Sequence, residues 1–292
     1  MIIGNDVSRY QGEIDFSKMR AAGSEFVYIR LGVGWNKDVN FEVNRARAKA
    51  SGIPYGYYWL PYPTTRVGAL LDQYLLMVGG DWGDLPPAID VETQGLGLGL
   101  FVEWINVAAL HSGRKPVFYT RASHFNEYRD DKGLKAVIGE KTDLWIAHYT
   151  YDPINKPPNM PKGAWKNYLL HQYSADENSL GKTYGAGSKA IDLNYFNGDA
   201  FDFQEFINYK SDEPGEQPGP AQPVALQVRN TTYLSLRIRP EFYPGARPGI
   251  GNGETVEITG PMVGTNPGFW PVNYGGFEGY VSASSYNVKL IW

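Results

Sequence analysis

The chain has 292 residues, a formal net charge of −4 and no cysteine. The absence of cysteine excludes disulfides and thiolate sites, and the mildly acidic balance gives no basic footprint for nucleic acid. No apolar run reaches the ~18 residues of a membrane span, so neither nucleic acid nor a membrane is a predicted partner.

The N-terminal part of the chain alternates short apolar strands with helices. Strands are predicted at 2–7, 26–31, 55–60, 88–92 and 116–120, and helices at 16–22, 40–51, 65–78 and 98–112, with short helical pieces between 123 and 139. Gly23, Gly52 and Gly113 each follow a predicted helix, which is where glycine ends helices because it tolerates a positive φ. Regular alternation of strand and helix favours a parallel sheet.

Three more strands are predicted at 144–148, 168–173 and 190–194, and the segments between them are rich in Pro, Gly, Asn and Ser. Eight strands with long helices only in the first part predict an α/β fold, a TIM-like barrel with an irregular last third. A helix at 200–210 would close this domain.

Two further segments follow the predicted barrel of residues 1–210. Residues 211–223 contain enough Pro and Gly to predict a semi-extended linker. Residues 224–292 show short alternating strands, which predict a small all-β barrel. Within it, the stretch from Phe269 to Tyr274 turns at Gly275-Gly276 into the stretch from Glu278 to Ser282, the pattern of a hairpin.

The acidic pair Asp90 and Glu92 lies on the otherwise apolar strand Ala88-Ile-Asp-Val-Glu. Side chains alternate along a strand, so both carboxylates are expected on one face. Two such groups are costly on a buried strand unless they are solvated, paired or used. Their proximity should raise the pKa of one of them, which would prepare a proton donor at neutral pH. A solvated strand end or an ion-pair site is the alternative.

Four carboxylates are expected around one pocket. Activity in a parallel barrel gathers at the carboxyl ends of the strands, and closure would place Asp6 on strand one beside Asp192 on strand eight. Polar and aromatic residues at other strand ends would line the same cleft as substrate contacts: Tyr58, Tyr119, Trp145, His148 and Gln172. A proton donor, a charge stabiliser and aromatic planes for sugar rings are typical of a glycosidase. A metal site is the rival interpretation of four acids, but no His-Asp cluster supports it, so no metal or other cofactor is predicted.

Several short motifs resemble glycoside hydrolase family 25, the N-acetylmuramidases, and occur in family order across residues 1–210. They are Asp6-Val-Ser-Arg-Tyr-Gln-Gly, Phe26-Val-Tyr-Ile-Arg, Tyr55-Gly-Tyr-Tyr, Ala88-Ile-Asp-Val-Glu, Leu144-Trp-Ile-Ala-His-Tyr, His171-Gln-Tyr and Asp192-Leu-Asn. The resemblance implies a (βα)5β3 barrel and cleavage of the β-1,4 bond between N-acetylmuramic acid and N-acetylglucosamine in peptidoglycan. It also implies that Glu92 is the general acid, that Asp90 assists it, and that Asp6 and Asp192 are flanking acids.

Residues 224–292 resemble bacterial SH3-like domains through Leu236-Arg-Ile-Arg-Pro, Gly253-Glu-Thr-Val, Trp270-Pro-Val and Glu278-Gly-Tyr-Val-Ser. The resemblance implies a module that holds the enzyme on wall peptide, with Trp270 and Tyr280 as candidate contacts. A spacer or dimerisation module is the alternative, in which these two residues belong to the core.

Two other functions compete with an endo-acting muramidase: a non-catalytic peptidoglycan-binding protein, and a chitinase-like hydrolase on the same barrel. Residues 1–6 contain no basic region followed by an apolar stretch, so no signal peptide is expected there. This favours a phage endolysin that stays in the cytoplasm until lysis, or a secreted enzyme without its leader, acting in either case on the bacterial wall.

Overall fold

The structure is a computed structural model that describes residues 1–129, 133–175 and 179–208, together with seven strands between residues 225 and 291. The chain divides into two compact units. One contains Met1–Thr64 and Asp81–Ser211, and the other contains Thr65–Gly80 and Asp212–Trp292.

Nine strands of the first unit form one sheet. They are β1 (Ile2–Val7), β2 (Ser24–Val33), β3 (Asn36–Lys37), β4 (Tyr55–Leu60), β5 (Ala88–Asp90), β6 (Val117–Thr120), β7 (Asp143–Ala147), β8 (Leu170–Ser174) and β9 (Asp192–Phe196). Their order is β1-β9-β8-β7-β6-β5-β4-β2-β3, and β1 also pairs with β2. This additional pairing closes eight strands into a barrel, while the two-residue β3 only forms a hairpin with the end of β2.

The barrel sheet is mixed, and the expectation of an all-parallel sheet is wrong for the last strand. The pairings from β1 through β2, β4, β5, β6 and β7 to β8 are parallel, whereas β9 is antiparallel to both β8 and β1. Residue 192, where β9 begins, lies at the end of the barrel where β8 stops, because Ser174 pairs with Leu193. The chain therefore turns back along the barrel wall without crossing it.

The structure describes seven α-helices: α1 (Phe16–Ala21), α2 (Phe41–Ser51), α3 (Val67–Val78), α4 (Leu98–Ser112), α5 (Ala122–Glu127), α6 (Leu134–Lys141) and α7 (Ala200–Asn208). Helices follow β1, β2, β4, β5 and β6 in the chain, and α3 belongs to the second unit. Gly52 and Gly113, each at φ 68°, end α2 and α4 as predicted, because a left-handed residue there lets the chain leave the helix.

No helix in the described part of the chain is long and apolar enough to cross a bilayer.

Aromatic side chains fill the interior of the barrel. The ring of Trp145 lies at its centre, 4.8 Å from the Tyr28 ring and 5.0 Å from the Tyr119 ring, measured between centroids. At one end, Phe203 of α7 packs 5.8 Å from Phe26 and 5.3 Å from Phe196. These two partners lie near the start of β2 and at the end of the antiparallel β9, so α7 closes the amino-terminal end of the parallel strands. The opposite end remains available for a site.

The second unit contains seven described strands. They are β10 (Ala225–Val228), β11 (Tyr233–Leu236), β12 (Arg247–Gly251), β13 (Thr255–Ile258), β14 (Phe269–Tyr274), β15 (Phe277–Ser282) and β16 (Val288–Ile291). Five form an antiparallel sheet in the order β15-β14-β13-β10-β16, and β11 pairs with β12. The predicted hairpin is present, since Tyr274 pairs with Phe277. The predicted linker 211–223 and the side chains of Trp270 and Tyr280 lie outside the described residues.

Candidate active site

Three of the four predicted acids reach the open end of the barrel on strands. Asp6 lies near the end of β1 and Asp90 is the last residue of β5, so both stand where parallel strands finish. Asp192 is the first residue of β9, and the antiparallel course of this strand brings it to the same rim. Asp6 and Asp192 are direct partners in the β1–β9 ladder, so they are neighbours as predicted.

Glu92 lies beyond the strand that was predicted to carry it, since β5 stops at Asp90. Val91 still continues the contact with β6: its N–H donates to the Tyr119 carbonyl at 2.9 Å, and its carbonyl accepts from Thr120 Oγ1 at 2.9 Å. These bonds hold the backbone just before Glu92. The Glu92 side chain is exposed, whereas Asp90 is only 7% exposed, so the two carboxylates differ in their access to solvent.

All four carboxylates line one cleft of about 320 Å³ at this rim. Its lining also includes three predicted aromatic residues and the predicted amide: Tyr58, Tyr119, Trp145 and Gln172. A larger surface groove of about 620 Å³ runs beside Glu13 and Arg47, which pair with each other at 2.6 Å, and none of the four acids borders it.

Asp90 is placed where ionisation is unfavourable. Its Oδ1 is buried and has no hydrogen-bond partner among the described residues. Burial raises the pKa of Asp90 well above its usual value, and the nearby charges of Glu92 and Asp6 raise it further. Arg30 and Arg121 oppose this effect as cations. The predicted raised pKa in the acidic pair therefore belongs to Asp90, the deeper carboxyl group.

Asp6 is held by two side-chain amides. Its Oδ2 accepts hydrogen bonds from Gln172 Nε2 at 2.9 Å and from Asn194 Nδ2 at 2.8 Å. Burial raises the pKa of Asp6, while these two donors and a hydrogen bond with the Asp192 carboxyl group act to lower it.

The aromatic wall of the cleft is neutral and rigid. Burial raises the pKa of both Tyr58 and Tyr119 well above the usual value, so their hydroxyls stay protonated. Trp145 lies beneath them and donates from Nε1 to Asn194 Oδ1 at 2.8 Å. Of the predicted contacts, Tyr58 is partly exposed and presents an apolar ring suited to a sugar, whereas Tyr119 and Trp145, at 7% and 1% exposed, pack behind it.

His148 does not line the cleft, so its predicted place beside Trp145 is wrong. The reason is strand alternation: Trp145 and Ala147 belong to the interior cluster and Tyr149 packs against it, so residue 148 must point outward. The His148 Nδ1 instead accepts a hydrogen bond from the backbone N–H of Asn159 at 3.2 Å.

Eight residues that sequence reasoning did not select also line the cleft, and Arg30, Arg121 and Tyr149 are the three among them that lie two positions after a residue of the interior cluster. These three follow Tyr28, Tyr119 and Ala147 respectively. The same alternation rule would have found Arg30 within its predicted strand, and Arg121 and Tyr149 one residue past the ends of theirs.

Within the described residues, no group of three or more His, Cys, Asp or Glu side chains could hold a metal ion.

A closed barrel whose open end gathers four carboxyl groups and an aromatic wall is the arrangement of a glycoside hydrolase, the class of enzymes that break glycosidic bonds with paired acids. The chain belongs to the glycosyl hydrolases family 25, whose family model matches residues 5–182.

Relatives and solved structures agree with this family. The chain is 32% identical over 214 residues to Lysozyme M1 of Streptomyces globisporus, covering 68% of each chain. It is 27% identical to the N,O-diacetylmuramidase of a Chalaropsis species, covering 61% of this chain and 92% of the relative. The bacterial lysozyme from Streptomyces coelicolor matches with a TM-score of 0.57 at 28% identity, covering 71% of this chain and 97% of that one. The muramidase from Acremonium alcalophilum matches with a TM-score of 0.57 at 27% identity, covering 71% and 99%.

Proposed function

We propose that the protein is an endo-acting muramidase that hydrolyses β-1,4 bonds between N-acetylmuramic acid and N-acetylglucosamine in bacterial peptidoglycan. The observation that carries the proposal is the convergence of Asp6, Asp90, Glu92 and Asp192 on one aromatic-walled cleft. Membership of family 25 and relatives named lysozyme and muramidase support this substrate over chitin.

Glu92 is the general acid in this proposal. It is exposed at the rim of the cleft, so the glycosidic oxygen of a bound glycan can approach it directly. Its proton moves to that oxygen as the bond to the anomeric carbon breaks, and the sugar acquires oxocarbenium-like positive charge. Water then adds to the anomeric carbon and returns a proton to the Glu92 carboxylate, so that the enzyme is restored.

Asp90 assists by stabilising the positive charge that develops on the sugar. Asp90 does so as a carboxylate, which burial leaves poorly stabilised in the cleft and which therefore gains most from the cation that forms beside it. An interaction that is stronger in the transition state than in the resting complex lowers the barrier. Asp90 can do this either by steadying attack of the substrate's acetamide oxygen, which retains the anomeric configuration, or by guiding water, which inverts it.

The flanking acids and the aromatic wall have supporting roles. Asp6 and Asp192 keep the floor of the cleft polar and negatively charged, which favours a developing cation. The partly exposed Tyr58 offers a ring on which a sugar can stack, and the buried Tyr119 and Trp145 pack behind it. The (βα)5β3 description fits the order of elements, with helices after each of the first five barrel strands.

The second unit is proposed to hold the enzyme on the wall. Its described strands form an antiparallel sheet and a two-stranded ribbon, consistent with a small SH3-like β-barrel over residues 224–292. Wall peptide is the proposed ligand, with Trp270 and Tyr280 as candidate contacts. An enzyme with these two parts works at the bacterial wall, either as a phage endolysin released at lysis or as a secreted bacterial protein.

Digestion of purified peptidoglycan tests the proposal. We expect new reducing ends that mass spectrometry identifies as N-acetylmuramic acid, and no release from chitin. Reducing ends of N-acetylglucosamine from both substrates would favour the chitinase-like alternative. Pelleting with cell walls without any release of reducing ends would favour a non-catalytic binding protein.

A further inference from the structure

Gln172 borders the cleft but is almost fully buried, at 4% exposed, and its amide oxygen is fully used by the protein. Its side chain is buried, and its Oε1 accepts from the Tyr119 hydroxyl at 2.8 Å and from the Tyr149 hydroxyl at 3.2 Å. Its Nε2 donates to Asp6 Oδ2 at 2.9 Å. A primary amide oxygen has two lone pairs, and both are used here.

Arg121, at the end of this hydrogen-bond chain, fixes the direction in which its members donate. Arg121, which can only donate, gives a hydrogen bond from NH2 to the Tyr149 hydroxyl oxygen at 2.9 Å. The proton of that hydroxyl is therefore available to Gln172, whose oxygen must face the two tyrosines and whose NH2 must face Asp6. Rotating the amide by 180° would place its NH2 against Tyr149 and its oxygen against the carboxylate, which is unfavourable.

A second arm reaches the same carboxylate oxygen from the opposite side. Trp145 Nε1, a donor only, bonds to Asn194 Oδ1 at 2.8 Å, and Asn194 Nδ2 then donates to Asp6 Oδ2 at 2.8 Å. Gln172 and Asn194 are themselves ladder partners in β8 and β9. Two amides on rigid neighbouring strands thus converge on one oxygen, so the Asp6 carboxylate cannot turn about its last bond.

We infer that Gln172 is a positioning residue, which orients and charges Asp6 through a directed chain from Arg121 and the two tyrosines, and is not a ligand of the glycan. The effect of Gln172 on catalysis rests on the proposed muramidase function, whereas its hydrogen bond to Asp6 does not.

The charge on Asp6 is the quantity that Gln172 controls. Removing one donor to a carboxylate disfavours its ionised form and raises its pKa. The titratable groups that interact with Asp6 in the cleft are Asp192, Glu92, Asp90, Tyr58, Tyr119 and Tyr149. None of them is replaced in the Gln172 variant, so the change in pKa can be attributed to the lost donor.

The first test compares Gln172→Leu with the unmodified protein by following the Asp6 carboxyl carbon in NMR titrations. We expect the pKa of Asp6 to rise by about one unit, the size expected for one lost hydrogen bond to a charged group. Gln204→Leu, the same replacement on the exposed face of α7, is the matched control and should leave that pKa unchanged. An unchanged pKa of Asp6 in Gln172→Leu would overturn the inference even if the enzyme proved to have another substrate.

The second test uses kinetics on soluble peptidoglycan glycan strands. We expect Gln172→Leu to lower kcat by about 10–100-fold with an unchanged KM. The acid limb of the plot of kcat/KM against pH should also move to higher pH. A raised KM with an unchanged kcat would identify Gln172 as a glycan ligand instead. Lack of activity in the unmodified protein would count against the proposed function. The NMR titration would then still test whether Gln172 controls the ionisation of Asp6.

A double variant guards against misfolding of Gln172→Leu. Tyr119→Phe with Tyr149→Phe keeps Gln172 and removes only the hydroxyls that fix its amide. We expect the pKa of Asp6 to rise in the same direction but by less than in Gln172→Leu, because an amide no longer held by the two hydroxyls keeps its N–H on the carboxylate for less of the time. An Asp6 titration identical to that of the unmodified protein would contradict the directed chain.

Discussion

Replacing Asp90 with asparagine should abolish most activity and yet stabilise the barrel. The replacement keeps the size of the side chain and removes the charge from a site where Oδ1 is buried without a hydrogen-bond partner among the described residues. The asparagine keeps this unpartnered polar position but cannot ionise, so the gain in the free energy of unfolding at neutral pH comes from the missing charge and is about 1.4 kcal/mol for each unit by which the fold raises the pKa of Asp90. With about 2–4 °C per kcal/mol for a domain of this size, Tm should rise by several degrees.

The gain should depend on pH in a defined direction. The pKa of Asp90 is raised in the folded state, so the protonated form fits the barrel and stability is lost as pH rises through the folded pKa. Below the usual carboxyl pKa of about 4, Asp90 is protonated in both the folded and the unfolded chain. The variant and the unmodified protein should therefore have similar Tm values near pH 3.5 and diverge toward neutral pH, with the variant more stable.

Thermal unfolding from pH 3.5 to 8, combined with reducing-end release from peptidoglycan, measures both effects. Asp152→Asn is the matched control, because hydrogen bonds from Asn155 lower the pKa of Asp152 and its charge is favourable in the fold. That variant should gain no stability at any pH. A lower Tm for Asp90→Asn at pH 7, or a difference from the unmodified protein that does not change with pH, would refute the reasoning.

Three further predictions concern the acid and the barrel. Glu92→Gln should lower peptidoglycan hydrolysis by about 10²–10⁴-fold while Tm stays constant, since the side chain is exposed; near-normal hydrolysis in a reducing-end assay would remove it from the role of general acid. Gly4→Ala should cost about 1–3 kcal/mol in denaturant unfolding, because its Cβ would stand 2.5 Å from the Phe26 ring, whereas a Cβ at Gly97 meets nothing within 4 Å, so Gly97→Ala should lose only the preference for glycine over alanine at the N-cap of α4. Phe203→Ala should cost about 3–5 kcal/mol in the same measurement by opening the closed end of the barrel, and a loss below 1 kcal/mol would show that α7 does not close it.

Much of the barrel could be predicted because local rules and the overall fold agree there. Short runs rich in apolar and aromatic residues predicted β1 and β4 with their observed bounds, and α4 ends before Gly113, whose positive φ lets the chain leave the helix. The convergence of Asp6, Asp90 and Asp192 also followed from strand order alone. These features depend on short stretches of chain, where periodicity and helix-ending residues are informative.

The direction of β9 and the roles of individual cleft residues could not be predicted in the same way. The alternation of side chains in a strand of five residues is the same for parallel and antiparallel pairing. The orientation of β9 is set by its pairing with β1 and β8, which the spacing of residues in the sequence does not show. The choice of His148 failed because strand alternation was not extended from Trp145. Gln172 was selected for its polarity, but its partners Asp6 and Tyr149 are distant in sequence and visible only in the folded chain.

The pairing of β1 with β9 makes the cleft a late product of folding. Asp6 and its hydrogen-bond partner Asn194 are 188 positions apart in the chain. Their hydrogen bond can therefore form only after nearly the whole barrel has been synthesised. Contacts of such long range slow folding, and a nascent chain that ends before β9 carries Asp6, Asp90 and Glu92 without a closed cavity around them. The same pairing sets Ile2 opposite Phe196, so the first strand of the barrel lies beside its last, and α7, which closes the barrel, begins within a few residues of this pair.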